Sequence, residues 1–264
     1  MTTPRYYYKI FMKSDFFKER EREMFKYKFI SGLEKPFADT SVEDFSAISR
    51  ISALRGERVS LQLILKLEHT EDSMWPRYFD IKFSGEAAKY ASVRRVRSVP
   101  AVNTMRGESD PDLLFNSPGL VPDVLMPLEY GGKIVLAPNV LTSLWIELEI
   151  PEDMKAGEAK LVATLHSEDA RDPEAKNWDG EATVTLDVIG ASLPKQELLF
   201  TQWFHSDCLA NYYRCEKWSD EHFRIIENFA RCAKKNGINM LFTPLVSPPL
   251  DNSYDTRDLQ LAIV

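Results

Sequence analysis

Three neighbouring side chains have the types that carbohydrate-binding sites use. They are Trp203, His205 and Asp207, and they follow a predicted strand. An aromatic ring can stack on the C–H face of a sugar, while an imidazole and a carboxylate hydrogen-bond its hydroxyl groups. We therefore predict that these residues bind substrate. The alternative interpretation is that Trp203 belongs to the core and that His205 and Asp207 only cap the loop.

The same segment could support other chemistry, but the pattern favours it less. His205 and Asp207 have the types of metal ligands, yet no H-E-x-x-H or comparable spacing occurs and the other histidines are distant. Cys208 with His205 has the types of a nucleophile pair, but no residue supplies the orienting third group. No glycine-rich turn follows the strand, which disfavours nucleotide phosphate. We predict no metal and no cofactor.

The dipeptide Asp220-Glu221 offers two adjacent carboxylates, as acid–base catalysis can require. It follows Ser219, a preferred helix N-cap, and acidic residues in the first turn favour the positive end of the helix dipole. We interpret the pair as a helix start without a catalytic role.

A strand–helix–strand unit must position these residues. The nearly continuous apolar run 198–204 predicts a strand covered on both faces. A helix follows Ser219 and ends before Gly237, a natural C′ residue. Its apolar stripe at helical spacing consists of Phe223, Ile226, Phe229, Ala230 and Ala233. Residues 238–242 predict a second buried strand, so the segment forms one βαβ unit, whose ligands gather at the carboxyl ends of the strands.

Residues 25–190 have a different period. Apolar residues alternate with polar ones, most clearly over 59–67 and 144–150, and turn signals such as Arg55-Gly56-Glu57 separate the runs. Seven or more half-buried antiparallel strands of this kind predict a β-sandwich. The period changes near residues 190–193, which predicts domains over 1–192 and 193–264. Three arginines lie close together, Arg94, Arg95 and Arg97. We interpret them as residues of a solvated sheet edge and not as an anion-binding site.

Composition limits the function classes. The chain has 264 residues, a formal net charge of −7 and a pI of about 5.3, which argues against nucleic acid as the main partner. With 44% hydrophobic and 28% charged residues, it has the composition of a soluble globular protein. Three cysteines do not form a disulfide framework. No signal peptide and no membrane span are visible, so we expect a cytoplasmic protein without a membrane partner.

Residues 121–128, 144–151 and Ala156-Gly157 form one set of motifs that match a known family. They resemble the N-terminal β-sandwich of glycoside hydrolase family 123 and its DUF4091 relatives. A second set of motifs resembles the opening of the family's catalytic barrel. It consists of Leu193-Pro194, residues 201–210, Trp218-Ser219, residues 236–239 and residues 248–251. The resemblance implies a multidomain β plus α/β protein, in which an antiparallel β-sandwich precedes the first βαβ unit of a truncated TIM-like (β/α)8 barrel.

The same resemblance implies an activity. Family 123 implies a retaining β-N-acetylgalactosaminidase, or more loosely a β-N-acetylhexosaminidase, in which the sugar's own 2-acetamido oxygen attacks the anomeric carbon. An Asp–Glu pair assists, the Asp orienting the acetamido group and the Glu acting as acid and then base. That pair follows a later barrel strand, so we expect it downstream of Val264 and expect no catalytic residue and no activity in this chain.

The resemblance also implies what the protein binds, and one alternative function stays open. We expect a carbohydrate partner, a glycoside of an N-acetylated amino sugar, bound by Trp203, His205 and Asp207. The alternative is a non-catalytic carbohydrate-binding or scaffolding β-sandwich module.

Overall fold

A computed structural model of the chain describes residues 25–68, 76–101, 118–128, 133–167, 178–195 and 197–243. The chain divides into two compact units, Met1–Leu193 and Pro194–Val264. We call them the two-sheet unit and the strand–helix unit. The described residues contain twelve strands and two α-helices, and none of these helices is long and apolar enough to cross a bilayer.

The first sheet of the two-sheet unit is antiparallel throughout. Its strands are β1 (Phe25–Ser31), β3 (Arg58–Leu67), β5 (Ala91–Ala101), β6 (Gly119–Pro127) and β8 (Thr142–Glu149). Their order in the sheet is β1-β3-β8-β5-β6.

The second sheet also has five strands. They are β2 (Arg50–Arg55), β4 (Arg77–Ser84), β7 (Lys133–Leu136), β9 (Gly157–Ser167) and β10 (Trp178–Ser192). The order is β2-β10-β9-β4-β7, and every pair is antiparallel except β2 with β10, which is parallel. The antiparallel prediction is wrong for that pair, because alternating hydrophobicity reports which face is buried and not the direction of the neighbouring strand.

One apolar core joins the two sheets. Inward side chains from both sheets belong to a single buried cluster, and the rings of Phe25 and Phe79 stack across it at 4.5 Å between centroids. Leu61, Leu63 and Leu65, which alternate along β3, are fully buried in this cluster. The prediction of a mostly β protein is therefore confirmed, and the two sheets share one core.

The outer face of β3 is buried as well, contrary to the predicted polar face. Gln62 and Lys66 lie on that face, and the Lys66 Nζ donates a hydrogen bond to the Thr40 carbonyl oxygen at 2.9 Å. Between them, Ile64 joins a second apolar cluster with Ile30, Val42 and Leu141. The segment that follows β1 covers this face and supplies backbone hydrogen-bond acceptors for its polar side chains. The alternation of polar and apolar residues along β3 does not reveal this cover.

Arg94 and Arg97 are exposed, as predicted, but Arg94 and Arg95 lie between two paired strands and not on a sheet edge, so that part of the prediction is wrong. Strand β5 pairs with β8 on one side and with β6 on the other. Arg95 is half-buried, and its Nη2 donates to the Val135 carbonyl oxygen at 3.3 Å. The edge strand β6 contains Pro122 and Pro127 and no regular alternation, so its sequence does not indicate a strand.

The strand–helix unit contains the predicted order of elements and one addition. Strand β11 (Thr201–Trp203) pairs in parallel with β12 (Met240–Phe242), and α1 (Ser206–Tyr213) and α2 (Asp220–Lys235) lie between them in sequence. Helix α1 was not predicted. The prediction that both strands are buried is wrong for this chain, because most of their side chains are exposed.

Both ends of α2 are as predicted. The Ser219 Oγ accepts a hydrogen bond from the backbone N–H of His222 at 3.3 Å. Gly237 has φ +86°, and the N–H groups of Gly237 and Ile238 donate to the carbonyls of Lys234 and Ala233, as in a Schellman motif.

The buried face of α2 is turned relative to the predicted stripe. It consists of His222, Ile225 and Ile226, whereas Phe223 and Phe229 are exposed. Helix α1 contacts α2, and because α1 was not predicted, the burial that it causes was not predicted either.

Candidate functional site

The carboxyl ends of β11 and β12 carry an exposed aromatic group. Trp203 and Phe242 are register partners, and their rings meet edge to face with centroids 4.5 Å apart. The Trp203 ring is also nearly parallel to the imidazole of His205, with an interplanar angle of 9° and centroids 6.2 Å apart. Trp203 is 64% exposed, so its ring is not buried among the described residues.

His205 and Asp207 lie at the start of α1. His205 is the N-cap residue, with extended backbone, but its side chain makes no capping hydrogen bond to the helix. Asp207 lies in the first turn, where a carboxylate is favoured by the helix dipole. Both side chains are half-buried. The structure thus brings Trp203 and His205 into ring contact and places Asp207 two residues further along, in the first turn of α1.

The sequence also offered a Cys–His nucleophile pair and metal ligands in this segment. Cys208 and Cys232 are exposed, Cys215 is half-buried, and none of the three forms a disulfide bond within the described residues. Within the described part of the chain, no group of three or more His, Cys, Asp and Glu side chains is arranged to hold a metal ion.

The carboxylates of Asp220 and Glu221 lie in the first turn of α2. Both are exposed, and the Glu221 Oε1 forms an ion pair with the Arg224 Nη2 at 2.6 Å. The hydrogen bond from Arg224 lowers the pKa of Glu221 below its ordinary value. A general acid requires the opposite shift, because it must hold a proton near neutral pH. The pair therefore has the properties of a helix start.

Sequence reasoning missed a buried histidine next to the candidate site. His222 is completely buried in the first turn of α2, and both ring nitrogens make hydrogen bonds. The backbone N–H of Trp218 donates to its Nδ1 at 2.9 Å, and its Nε2 lies 2.8 Å from the Ser206 carbonyl oxygen. A single histidine in a polar helix start gives no signal of burial, because the helix that covers it was not predicted.

Residues 236–239, which resemble the family motif, have structural roles here. The Asn236 Nδ2 donates to the Cys232 carbonyl oxygen at 2.8 Å, next to the Schellman turn at Gly237. Asn239 holds the chain before β11: its Nδ2 donates to the Leu198 carbonyl oxygen and its Oδ1 accepts from the Phe200 N–H, each at 2.8 Å. Residues 248–251, the last of the stretches that resemble the family, lie outside the described residues.

The two-sheet unit carries a separate depression of about 380 Å³. It lies beside the 3-10 turn Ala88–Tyr90 and the start of β9. Its lining includes a tyrosine ring, a thioether and side chains of both charges, from Glu86, Lys89, Tyr90, Asp153, Met154 and Lys155. The Lys89 Nζ lies 4.7 Å from the centroid of the Tyr90 ring.

One family model and several solved structures are similar to this chain. Residues 203–264 match the family described as glycoside hydrolase 123, catalytic domain. A family 123 glycoside hydrolase from Clostridium perfringens, whose structure was analysed for glycolipid glycan hydrolysis, is 13% identical with a TM-score of 0.57. That match covers 80% of this chain and 36% of the hydrolase, so this chain spans about a third of its length.

Other solved structures are less similar. The PapD-like domain 7 of human CEP192 is 10% identical, with a TM-score of 0.32 over 73% of this chain and 99% of that domain. The major pilin subunit BcpA of Bacillus cereus is 9% identical, with a TM-score of 0.33 over 62% of this chain and 40% of the pilin. Similarities at this level support no functional argument. A comparison with curated proteins finds no match.

The family match begins at Trp203, the residue at the centre of the candidate site, and the fold similarity to the Clostridium enzyme extends over most of the chain. Residues 203–264 are thus similar to the catalytic domain of glycoside hydrolase family 123, and the chain shares its fold with part of a family 123 enzyme.

Proposed function

We propose that this chain is the N-terminal part of a glycoside hydrolase that cleaves β-N-acetylgalactosaminides, or related β-N-acetylhexosaminides, with retention of configuration. Residues 1–192 form its β-sandwich domain, and residues 193–264 open its (β/α)8 barrel. The observation that carries the proposal is the parallel β11–β12 pair, with an exposed Trp203 at its carboxyl edge, where the family match begins. Ligands of β/α barrels bind at that edge.

Each candidate residue has a role that its geometry supports. Trp203 offers an exposed ring on which the C–H face of a sugar can stack. His205, in ring contact with Trp203, and Asp207, in the first turn of α1, hydrogen-bond the hydroxyl groups of that sugar. None of these residues performs the bond cleavage.

The chemical step uses the substrate as its own nucleophile. The 2-acetamido oxygen attacks the anomeric carbon, the glycosidic bond breaks, and a Glu carboxyl protonates the leaving oxygen, giving a cyclic oxazolinium intermediate. The same Glu, now a carboxylate, removes a proton from water that opens this intermediate, and an adjacent Asp orients the acetamido group. Asp220-Glu221 does not supply this pair, because Arg224 holds Glu221 ionised. We place the pair in chain that follows Val264 in the complete enzyme.

The activity test compares two lengths of polypeptide. The 264-residue chain should release no nitrophenol from p-nitrophenyl N-acetyl-β-galactosaminide. A longer product of the same gene, with further β/α units and an Asp-Glu pair, should release it. Hydrolysis by the 264-residue chain would contradict this placement of the catalysts.

The binding roles are tested in the longer enzyme. Trp203→Ala should raise KM about fivefold to thirtyfold, since stacking and apolar contact on a sugar ring contribute about 1–2 kcal/mol. Tyr212→Ala is a matched control, because Tyr212 is an exposed aromatic residue of α1 outside the proposed site. Unchanged KM and kcat in His205→Ala and Asp207→Ala would remove those two residues from the site.

A second function, carbohydrate binding without catalysis, is favoured by the depression beside Tyr90. This depression belongs to the two-sheet unit, so binding there would not require a completed barrel. Tyr90→Ala should then abolish retention of the chain on immobilised glycans while Trp203→Ala leaves it intact. The reverse pattern would support the barrel site.

A further inference from the structure

His222 connects α2 to α1 and to the turn at Trp218, although no catalytic or binding role was predicted for it. It lies in the first turn of α2 and is 0% exposed. Its Nδ1 accepts from the N–H of Trp218, a residue with φ +65° that precedes the helix cap. Its Nε2 reaches the carbonyl oxygen of Ser206, the first residue of α1.

These partners determine the protonation of the ring. A carbonyl oxygen only accepts, so Nε2 must carry a hydrogen, and a backbone N–H only donates, so Nδ1 must carry none. The imidazole is therefore neutral, with its hydrogen on Nε2. A fully buried polar group that is satisfied on both sides holds its neighbours in one arrangement, because either broken bond leaves a buried group without a partner.

The residue that His222 holds is flanked by the candidate sugar ligands. Ser206 lies between His205 and Asp207 in sequence, and His205 contacts the Trp203 ring. The Ser206 Oγ has no hydrogen-bond partner in the described part of the chain, so its backbone carbonyl is the group through which His222 acts.

We propose that His222 is the positioning residue of the sugar site. Its Nε2–H fixes the Ser206 carbonyl and thereby the orientation of the segment that carries Trp203, His205 and Asp207. The sugar-binding part of this inference rests on the proposed function, whereas the anchoring of α1 does not.

Two substitutions separate the two hydrogen bonds. Asn places an amide oxygen near the position of Nδ1, so His222→Asn retains an acceptor for Trp218 but cannot reach Ser206. Gln places an amide nitrogen near the position of Nε2, so His222→Gln retains the donor to Ser206. Ser206→Ala is a control that keeps the carbonyl, and His166→Asn is a control for loss of an imidazole on β9, in the other unit.

The test uses the 264-residue chain and two measurements. Amide hydrogen exchange in α1 should accelerate about tenfold or more in His222→Asn and stay within twofold of the original chain in His222→Gln and both controls. The indole N–H signal of Trp203 should shift in His222→Asn alone. The dissociation constant for methyl N-acetyl-β-galactosaminide should rise about threefold to tenfold in His222→Asn, the equivalent of one hydrogen bond.

The outcomes are distinguishable. Unchanged α1 exchange in His222→Asn, or equal acceleration in the Asn and Gln variants, would overturn the proposal, because the Ser206 bond would then not be the deciding contact. If the original chain binds no sugar, the proposed ligand roles fail, and the exchange data still decide whether His222 anchors α1.

Discussion

Asn239 and Phe200 are joined by two hydrogen bonds. The Phe200 N–H donates to the Asn239 Oδ1 at 2.8 Å, and the Asn239 N–H donates to the Phe200 carbonyl oxygen at 3.2 Å. The Asn239 Nδ2 adds a third bond, to the Leu198 carbonyl oxygen. The carboxamide thus acts as an additional peptide group and extends the pairing of β11 and β12 beyond the first residue of each strand.

Asn239→Ala should destabilise this pairing. It removes both side-chain bonds, and each contributes about 0.5–1.5 kcal/mol, so we expect a loss of about 1–3 kcal/mol. Local stability is measured by amide exchange in β11 and β12. Asn228→Ala is the control, since Asn228 is exposed on α2. Equal exchange in the two variants would show that the carboxamide does not hold the strands.

Ser143→Ala should destabilise the first sheet through Gln62. The Ser143 Oγ donates to the Gln62 Oε1 at 2.8 Å, while the Gln62 Nε2 donates to the carbonyl oxygens of Ser31 and Glu34. Both side chains are buried. Removing the hydroxyl leaves a buried amide oxygen without that donor, which costs about 1–3 kcal/mol in the free energy of unfolding, measured by urea denaturation.

Gln62→Leu should cost more than Ser143→Ala, because it leaves two backbone carbonyls and one hydroxyl without their donor or acceptor. Ser60→Ala on the same strand is the control and should change the free energy of unfolding by less than about 0.5 kcal/mol. A Gln62→Leu protein as stable as the original would mean that apolar burial compensates fully for the lost network.

These residues show where sequence reasoning succeeds and where it stops. The alternation of Leu61, Leu63 and Leu65 is a local pattern, and so are the Ser219 cap and the Gly237 turn, so their places in the fold were predictable. The burial of Gln62 depends on a segment that folds over β3, and the burial of His222 depends on α1. Neither contact is encoded by periodicity, because in each case another element supplies the cover.

For the candidate site, too, some features were predictable from the sequence and others were not. The types of Trp203, His205 and Asp207 and their place after a strand predicted their location. The exposure of the strand before Trp203 was not predicted, because a nearly continuous apolar run was interpreted as buried on both faces. Leu198, Leu199 and Phe200 in this run are more than half exposed. Two parallel strands with two helices do not cover both faces of such a pair, as the layers of a complete α/β domain would.

Gly85→Ala should be among the most destabilising small substitutions in the two-sheet unit. Gly85 has φ +91°, and a Cβ there would lie 2.3 Å from the Lys160 carbonyl oxygen. Both the backbone conformation and the clash with a backbone atom oppose the side chain, so we expect a loss of about 3 kcal/mol or more. Gly190→Ala, whose Cβ would meet only the Ala156 Cβ at 3.6 Å, should be nearly neutral. Similar melting temperatures for the two variants would contradict this.

Glu43 should make stability fall with acid over a defined range. The Lys26 Nζ lies 2.8 Å from the Glu43 Oε1, and the Ser41 hydroxyl donates to the other oxygen. These hydrogen bonds, that from Lys26 above all, lower the pKa of Glu43 from 4.5 to about 2.

A carboxyl group whose pKa is lower in the folded than in the unfolded chain stabilises the fold fully above the unfolded pKa, and this contribution disappears as the pH falls through the folded pKa. The melting temperature of the original chain should therefore exceed that of Glu43→Gln by a constant amount above about pH 5, with the unfolded pKa near 4.3. The difference should shrink below pH 5 and vanish below about pH 2. Lys26→Met should remove most of this pH dependence, since it removes the main cause of the shift. A difference that stayed constant from pH 6 to pH 2 would show that the charge of Glu43 does not contribute, and the hydrogen bonds of its neutral form would then explain its effect.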